Sequence, residues 1–354
     1  MILPLETQQV PCIYLEPCLL LSMLLPKDKD KLWYMTHFIQ LCAGVYSEGD
    51  LIYNNGYSKV FFEDTSPDML RDFFLVTTID EATLHAEQNM AFYIRQAIDD
   101  TRYCIIDVDE YYITGTYYAN KVHYYRKFLI YGYDKDRQCF YAMSQDRMTV
   151  YRTFELTFQL VNYLLHLPVN NKQVVNFGRN RIAFYKPLLK KTMEMDIHTA
   201  ATCLTYSLIR YCRNERLQST VTCDSNTKIS FYYGTDIYAL IINSIMLRIE
   251  NIEKMDYRAI RVMLEHKAYL EARLKFLQEY TGDYNLLSDE IHIYEDLQKQ
   301  LKTVLFIFLR PYRLNLEKRK QEFQSVIQTL MGAQELEVKA MRQLLCKLNE
   351  YGKI

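Results

Sequence analysis

The sequence predicts an α+β chain: helices packed on a small antiparallel sheet in the first half, followed by a mainly α-helical C-terminal region. Three observations carry this. Cys104–Val108 and Phe128–Tyr131 are short, apolar and rich in β-branched and aromatic residues, and a Tyr-rich loop joins them. Gly132, Asp134 and Asp136 then supply turn chemistry before a third run, Gln138–Met143, so residues 127–143 read as a hairpin. From Asp196 onward, apolar residues recur at helical spacing almost to the end. The break at Pro168-Val-Asn-Asn places a soft boundary between a domain over 1–168 and a mostly helical domain over 169–354.

Taken in order, Pro17–Leu25 reads as a buried helix beginning near Cys18 and ended by Pro26. Residues 30–45 carry apolar positions near helical spacing, with Asp30 as a cap, and predict a second core helix. Asn54-Asn55-Gly56 is a hairpin-turn signal inside 51–62. Ser66-Pro67-Asp68 opens a short helix, and 80–98 reads as a longer one leading into the Cys104 strand. Residues 153–165 read as an amphipathic helix and 175–185 as a strand crossing back. Helices are predicted over 197–212, 236–247, 257–280, 290–308 and 315–351, with a short aromatic strand at 229–233. The last three helices suit a helical hairpin or bundle.

The chain has 354 residues, 49% hydrophobic, enough for sizeable cores. A formal net charge of −1 argues against a general polyanion or nucleic-acid binder. Its apolar runs are too short to span a bilayer. Nine cysteines, an odd number with no CxxC pair, fit free thiols in a reducing cytoplasm.

P-loop, GxGxxG, HExxH and GxSxG motifs are all absent, and the seven histidines are dispersed, which argues against a zinc site and leaves no cofactor implied. Asp107 and Asp109 share a strand face and read as a solvated or capped strand end. The chemistry left is nucleophilic. A cysteine at a helix start, by unsatisfied backbone N–H groups, forms a thiolate more readily. Cys18 is so placed, and His123, at the sheet edge, is the base that spacing allows.

Three segments resemble a known family: Leu32-Trp-Tyr-Met-Thr-His-Phe-Ile-Gln-Leu41, Tyr103-Cys-Ile-Ile-Asp-Val-Asp-Glu-Tyr-Tyr-Ile113, and Lys121-Val-His-Tyr124 with Leu129-Ile-Tyr-Gly-Tyr-Asp134. They look like the N-terminal domain of the butirosin-biosynthesis H-type proteins, papain-like cysteine proteins found with nonribosomal-peptide and polyketide clusters. Leu264-Glu-His-Lys267, followed by Arg273-Leu274, is similar to the helical tail of that group. The resemblance implies a papain-like fold and a cysteine acyltransferase, which moves an acyl or peptidyl group from a carrier-protein thioester to an amine or water. The implied partners are an acyl or peptidyl carrier protein or a synthetase, with the phosphopantetheine arm as part of the substrate and a small-molecule amine as an acceptor. Cys18 matches the nucleophile position, with Cys12 an alternative. Arg126, Tyr112 and Tyr131 fall where substrate would bind.

The departures are specific. The pattern has a histidine and an aspartate where Arg126 and Lys127 stand, and an orienting aspartate where Met143 stands. Three readings follow: an active cysteine acyltransferase, a catalytically degenerate papain-like module that binds or scaffolds a carrier protein or assembly-line enzyme, or a helical scaffold unrelated to the family.

Overall fold

The computed structural model describes residues 1–6, 15–24, 28–46, 60–62, 70–145, 151–168, 181–188, 195–215, 229–248, 257–309 and 316–351. The chain is mixed α/β, with antiparallel sheets and a helical C-terminal region. It forms two compact units, each made from two stretches: a sheet unit (residues 1–30 and 66–194) and a helical unit (31–65 and 195–354). Residue 168, where the sequence places a soft boundary, lies within the second stretch of the sheet unit.

The sheet unit contains β3 (Phe74–Ile79), β4 (Tyr103–Asp109), β5 (Tyr125–Asp134), β6 (Cys139–Gln145), β7 (Tyr151–Thr157) and β8 (Ile182–Pro187). They form one antiparallel sheet in the order β3-β8-β4-β5-β6-β7. β4 sits inside the sheet and every residue of it is buried, which is why 103–106 reads as an unbroken apolar run and why Asp107 and Asp109 are shielded from water. The β5–β6 hairpin forms as predicted. The Asp134 carboxylate accepts from the backbone N–H groups of Asp136 and Arg137 and fixes the turn. Residues 1–3 pair with β5 where it bulges: Leu3 N–H donates to the Tyr131 carbonyl, and a Cβ at Gly132 would come within 2.8 Å of the Met1 carbonyl.

Helix α1 (Leu15–Leu24) packs on β5 and β6. It starts before Pro17 rather than at Cys18, so Cys18 closes the first turn, where a nearby proline removes no helical hydrogen bond. Residues 80–98 are two helices rather than one, α3 (Glu81–Ala86) and α4 (Met90–Asp99). Asp80 caps the first and Asn89 the second, accepting from Phe92 N–H. The predicted helix over 153–165 divides too. Residues 151–157 pair along β6 as β7, and α5 (Phe158–His166) begins only at the Thr157 cap. β3 was not predicted. Its pattern of one buried residue among mostly exposed ones gives little periodicity.

In the helical unit, α2 (Asp28–Thr36) ends before Phe38, whose φ of +58° lies in the left-handed region. The chain then runs into β1 (Leu41–Tyr46) instead of continuing as helix to 45. β1 lies between β2 (Val60–Phe62) and β9 (Ile229–Tyr233). The turn signal at 54–56 and the helix start at 66–68 lie outside the described residues. Helices α6 (Ile197–Cys212), α7 (Asp236–Arg248), α8 (Arg258–Thr281), α9 (Ser288–Leu309) and α10 (Leu316–Tyr351) match the sequence pattern closely. α9 packs on both α8 and α10.

Candidate functional site

The sheet unit brings an unusual number of ionisable groups to the β4–β5 pair beside α1. Glu16, in the first turn of α1, accepts from Lys127 Nζ at 2.8 Å and from Arg71 at 2.7 Å. Burial pushes the Glu16 carboxyl up, but the Lys127 ammonium and Arg71 guanidinium outweigh it and hold the group below its ordinary value. Lys127 stands opposite Asp107 across the strand pair. Burial pushes Asp107 up to about 7 against the pull of Lys127 and Arg181, with Glu16 adding to the rise. Its Oδ1 is buried without a hydrogen-bond partner. Asp107 is thus a buried carboxyl with a raised pKa across the strand pair from a charged lysine, a pattern enriched at functional sites.

Two residues further along β4, on the same face by strand alternation, Asp109 ends the strand. Its Oδ1 accepts from the backbone N–H groups of Tyr111, at 3.1 Å, and Tyr124, at 3.0 Å; its Oδ2 faces His123 Nδ1 at 2.6 Å. Asp109 is buried, whereas the His123 side chain is 45% exposed and stacks on Tyr111, with centroids 4.3 Å apart. The strand-end reading of Asp109 survives as a cap, but this cap is buried and also holds an imidazole. The carboxylate that faces His123 comes from Asp109 on β4. Met143 itself is buried apolar packing opposite Leu129.

The remaining candidates do not converge on one point. Cys18 is on α1 with no exposed surface. Arg126 is on β5, where it ion-pairs with Glu110 and donates to the Gln145 carbonyl at 2.6 Å. Burial pushes Glu110 up to about 7 against the attraction of Arg126. Tyr112 ends a 3-10 turn over Glu110–Tyr112 and meets His123 and Tyr163 edge-on or tilted, at 5.9 and 5.6 Å. Tyr131 lies five residues beyond Arg126 on β5 and packs against Tyr141. Cys12 lies outside the described residues. Sequence reasoning missed Glu16, two residues before Cys18, and the pairing of Asp109 with His123. The signal for Glu16 was its place as an acid in a helix's first turn. Nothing local in the sequence links residue 109 to residue 123.

A second buried ionisable cluster lies in the helical unit. His266 Nε2 donates to the Ile39 carbonyl at 2.7 Å, and its Nδ1 accepts from Lys267 Nζ at 3.0 Å. Lys267 Nζ also donates to Glu337 at 2.5 Å, and Glu337 accepts from the Tyr211 hydroxyl. About two turns further on, Arg273 donates to the carbonyls of Tyr34, Met35 and His37, the last acceptors around the end of α2. The motifs at 32–41 and 264–274, far apart in sequence, are therefore two halves of one structural feature.

Among the described residues no group of three or more His, Cys, Asp or Glu could hold a metal, and no helix is long and apolar enough to cross a membrane. No family model and no curated protein matches the chain.

Proposed function

We propose that this chain is a catalytically degenerate papain-like protein that serves as a binding or scaffolding module for a carrier protein or assembly-line enzyme of nonribosomal-peptide or polyketide synthesis. The resemblance of the 32–41, 103–113 and 121–134 segments supplies the family. The packing of the cysteine-bearing helix α1 on β5 and β6 of an antiparallel sheet is consistent with it and counts against an unrelated helical scaffold.

One observation carries the loss of cysteine chemistry: Cys18 is fully buried in a helix whose first turn is tied to β5 by the Glu16–Lys127 ion pair. A thiol there meets no substrate. The residues at the expected histidine and aspartate positions, Arg126 and Lys127, are cations engaged with Glu110 and Glu16, and a guanidinium cannot accept a proton.

The test combines binding and labelling. The full chain should retain a carrier protein bearing its phosphopantetheine arm in a pull-down. Iodoacetamide at neutral pH should leave Cys18 unmodified in the native protein and alkylate it in urea. Failure to bind any acyl or peptidyl carrier protein would overturn the module reading. Rapid native labelling of Cys18 would instead favour the second reading, an active cysteine acyltransferase. The oriented His123–Asp109 pair is the observation on its side. Under that reading Cys18→Ala abolishes both the labelling and transfer from an acyl thioester.

A further inference from the structure

We propose that His123 and Asp109 form a proton-transfer site that acts on a thiol carried by the bound ligand, without Cys18. The proposal rests on the module reading only for the source of the thiol, the end of a phosphopantetheine arm.

The geometry is that of the last two members of a nucleophile–histidine–aspartate triad. The Asp109 carboxylate is fixed by two backbone donors and is shielded from water. With Nδ1–H pointing at Asp109 Oδ2, a neutral His123 ring carries its lone pair on Nε2. Stacking on Tyr111 fixes the ring plane, while almost half of the side chain remains open to solvent. The loop that bears the histidine is itself anchored. Glu110 N–H donates to the Tyr124 carbonyl at 2.8 Å, Asn120 N–H to the Tyr111 carbonyl at 2.9 Å, and the Thr116 hydroxyl to the Glu110 carbonyl at 3.1 Å. The base is therefore held in place before any ligand arrives, so orienting it adds no cost at the moment of reaction.

The surroundings choose the ligand. Val122 and Tyr124, the chain neighbours of His123, are 54% and 43% exposed and offer an apolar footing for an extended, uncharged arm. A thiol is a far better nucleophile as its thiolate, and an oriented imidazole is a base able to take its proton. In the step, the S–H proton moves to Nε2 and the S–H electron pair stays on sulfur as thiolate. The imidazolium is balanced by Asp109 and then releases its proton to solvent. His123 is the catalytic residue; Asp109 is a positioning residue that acts through it.

The test uses the full chain and pantetheine as the probe. Nitrogen-15 NMR of the neutral ring should show the proton on His123 Nδ1. In Asp109→Asn, the amide N–H facing the ring should drive that proton to Nε2, a change that a purely structural cap would not produce. At neutral pH the native protein should accelerate alkylation of pantetheine by iodoacetamide about tenfold or more, and both His123→Asn and Asp109→Asn should lose the acceleration. Diethyl pyrocarbonate reactivity gives a check in the unaltered protein: His123 should react faster than His292, whose side chain is 76% exposed and lies 3.3 Å from surface Glu295. An Nε2–H tautomer in the native protein, or equal pantetheine rates for the native chain and His123→Asn, would overturn the proposal. Neither outcome touches carrier binding, so the two readings fail separately.

Discussion

The two units bury charge in contrasting ways. In the helical unit, Tyr211, Glu337, Lys267 and His266 form a chain of hydrogen bonds with 2% exposure or less at every link. Burial and the Lys267 charge hold His266 well below its ordinary value, so it stays neutral and accepts from the ammonium. Each group serves its neighbour, and the chain ends on a backbone carbonyl. In the sheet unit the charges run from buried Asp107 and Asp109 out to half-exposed Arg71 and His123. A closed network fixes which elements pack together; an open one leaves a reactive atom facing solvent. A buried charge therefore points to function only where its network reaches the surface.

The largest expected effect tests the closed network. Glu337→Ala leaves the Lys267 ammonium buried without its carboxylate and should lower stability by about 3–5 kcal/mol, read by chemical denaturation. Lys267→Met combined with Glu337→Leu should recover most of that loss. If the single change costs nothing, the network is not what holds the helical unit together.

Titration separates the units by sign. Asp107 has a folded value of about 7 against an ordinary 3.8, so the folded state holds a proton that the unfolded chain releases. Its contribution is full below pH 4 and is lost as pH rises towards 7, by roughly 4 kcal/mol at most. His266 is lowered, so its penalty grows as pH falls below 6.5. Hydrogen exchange at pH 5 and pH 8, corrected for intrinsic rates, should show β4 and β5 loosening at the higher pH and α8 at the lower. Asp107→Asn should reduce the first change, leaving the part due to Glu110, which burial also raises to about 7, and spare the second.

Arg273→Ala removes three hydrogen bonds to carbonyls around the end of α2 and should cost about 2–3 kcal/mol. Exchange should rise most at residues 33–38. At the other extreme, Glu155→Gln breaks an ion pair with Arg137 in which both side chains are about half exposed. The denaturation midpoint should not move measurably, because surface pairs of this kind are screened by water and salt.

Elements whose burial is uniform or strictly one-sided were legible in the sequence. The β5–β6 hairpin carries its own turn residues, and α6 to α10 each present a single apolar stripe over at least three turns. Elements defined by partners were not. Residues 41–46 have helix-like spacing but are claimed by β2 and β9, and 151–157 by β6. The candidate site divides in the same way. Cys18 and His123 could be named from residue type and spacing; Arg126 and the departures at 126, 127 and 143 stood out only against the pattern that the sequence resembles. The pairing of Asp109 with His123 and the Glu16–Lys127 pair could not.

The sequence by itself determined the α+β class, the hairpin and the run of C-terminal helices, because each depends on periodicity and turn chemistry within a few residues. Only the tertiary structure decided which charges meet. Lys127 faces Glu16 across 111 positions, Arg273 caps a helix more than 230 positions away, and His123 finds Asp109 around a tyrosine-rich loop. A charge buried at such a distance is stable only with its partner in place. That partner is chosen by the packing of whole elements, which no local pattern records.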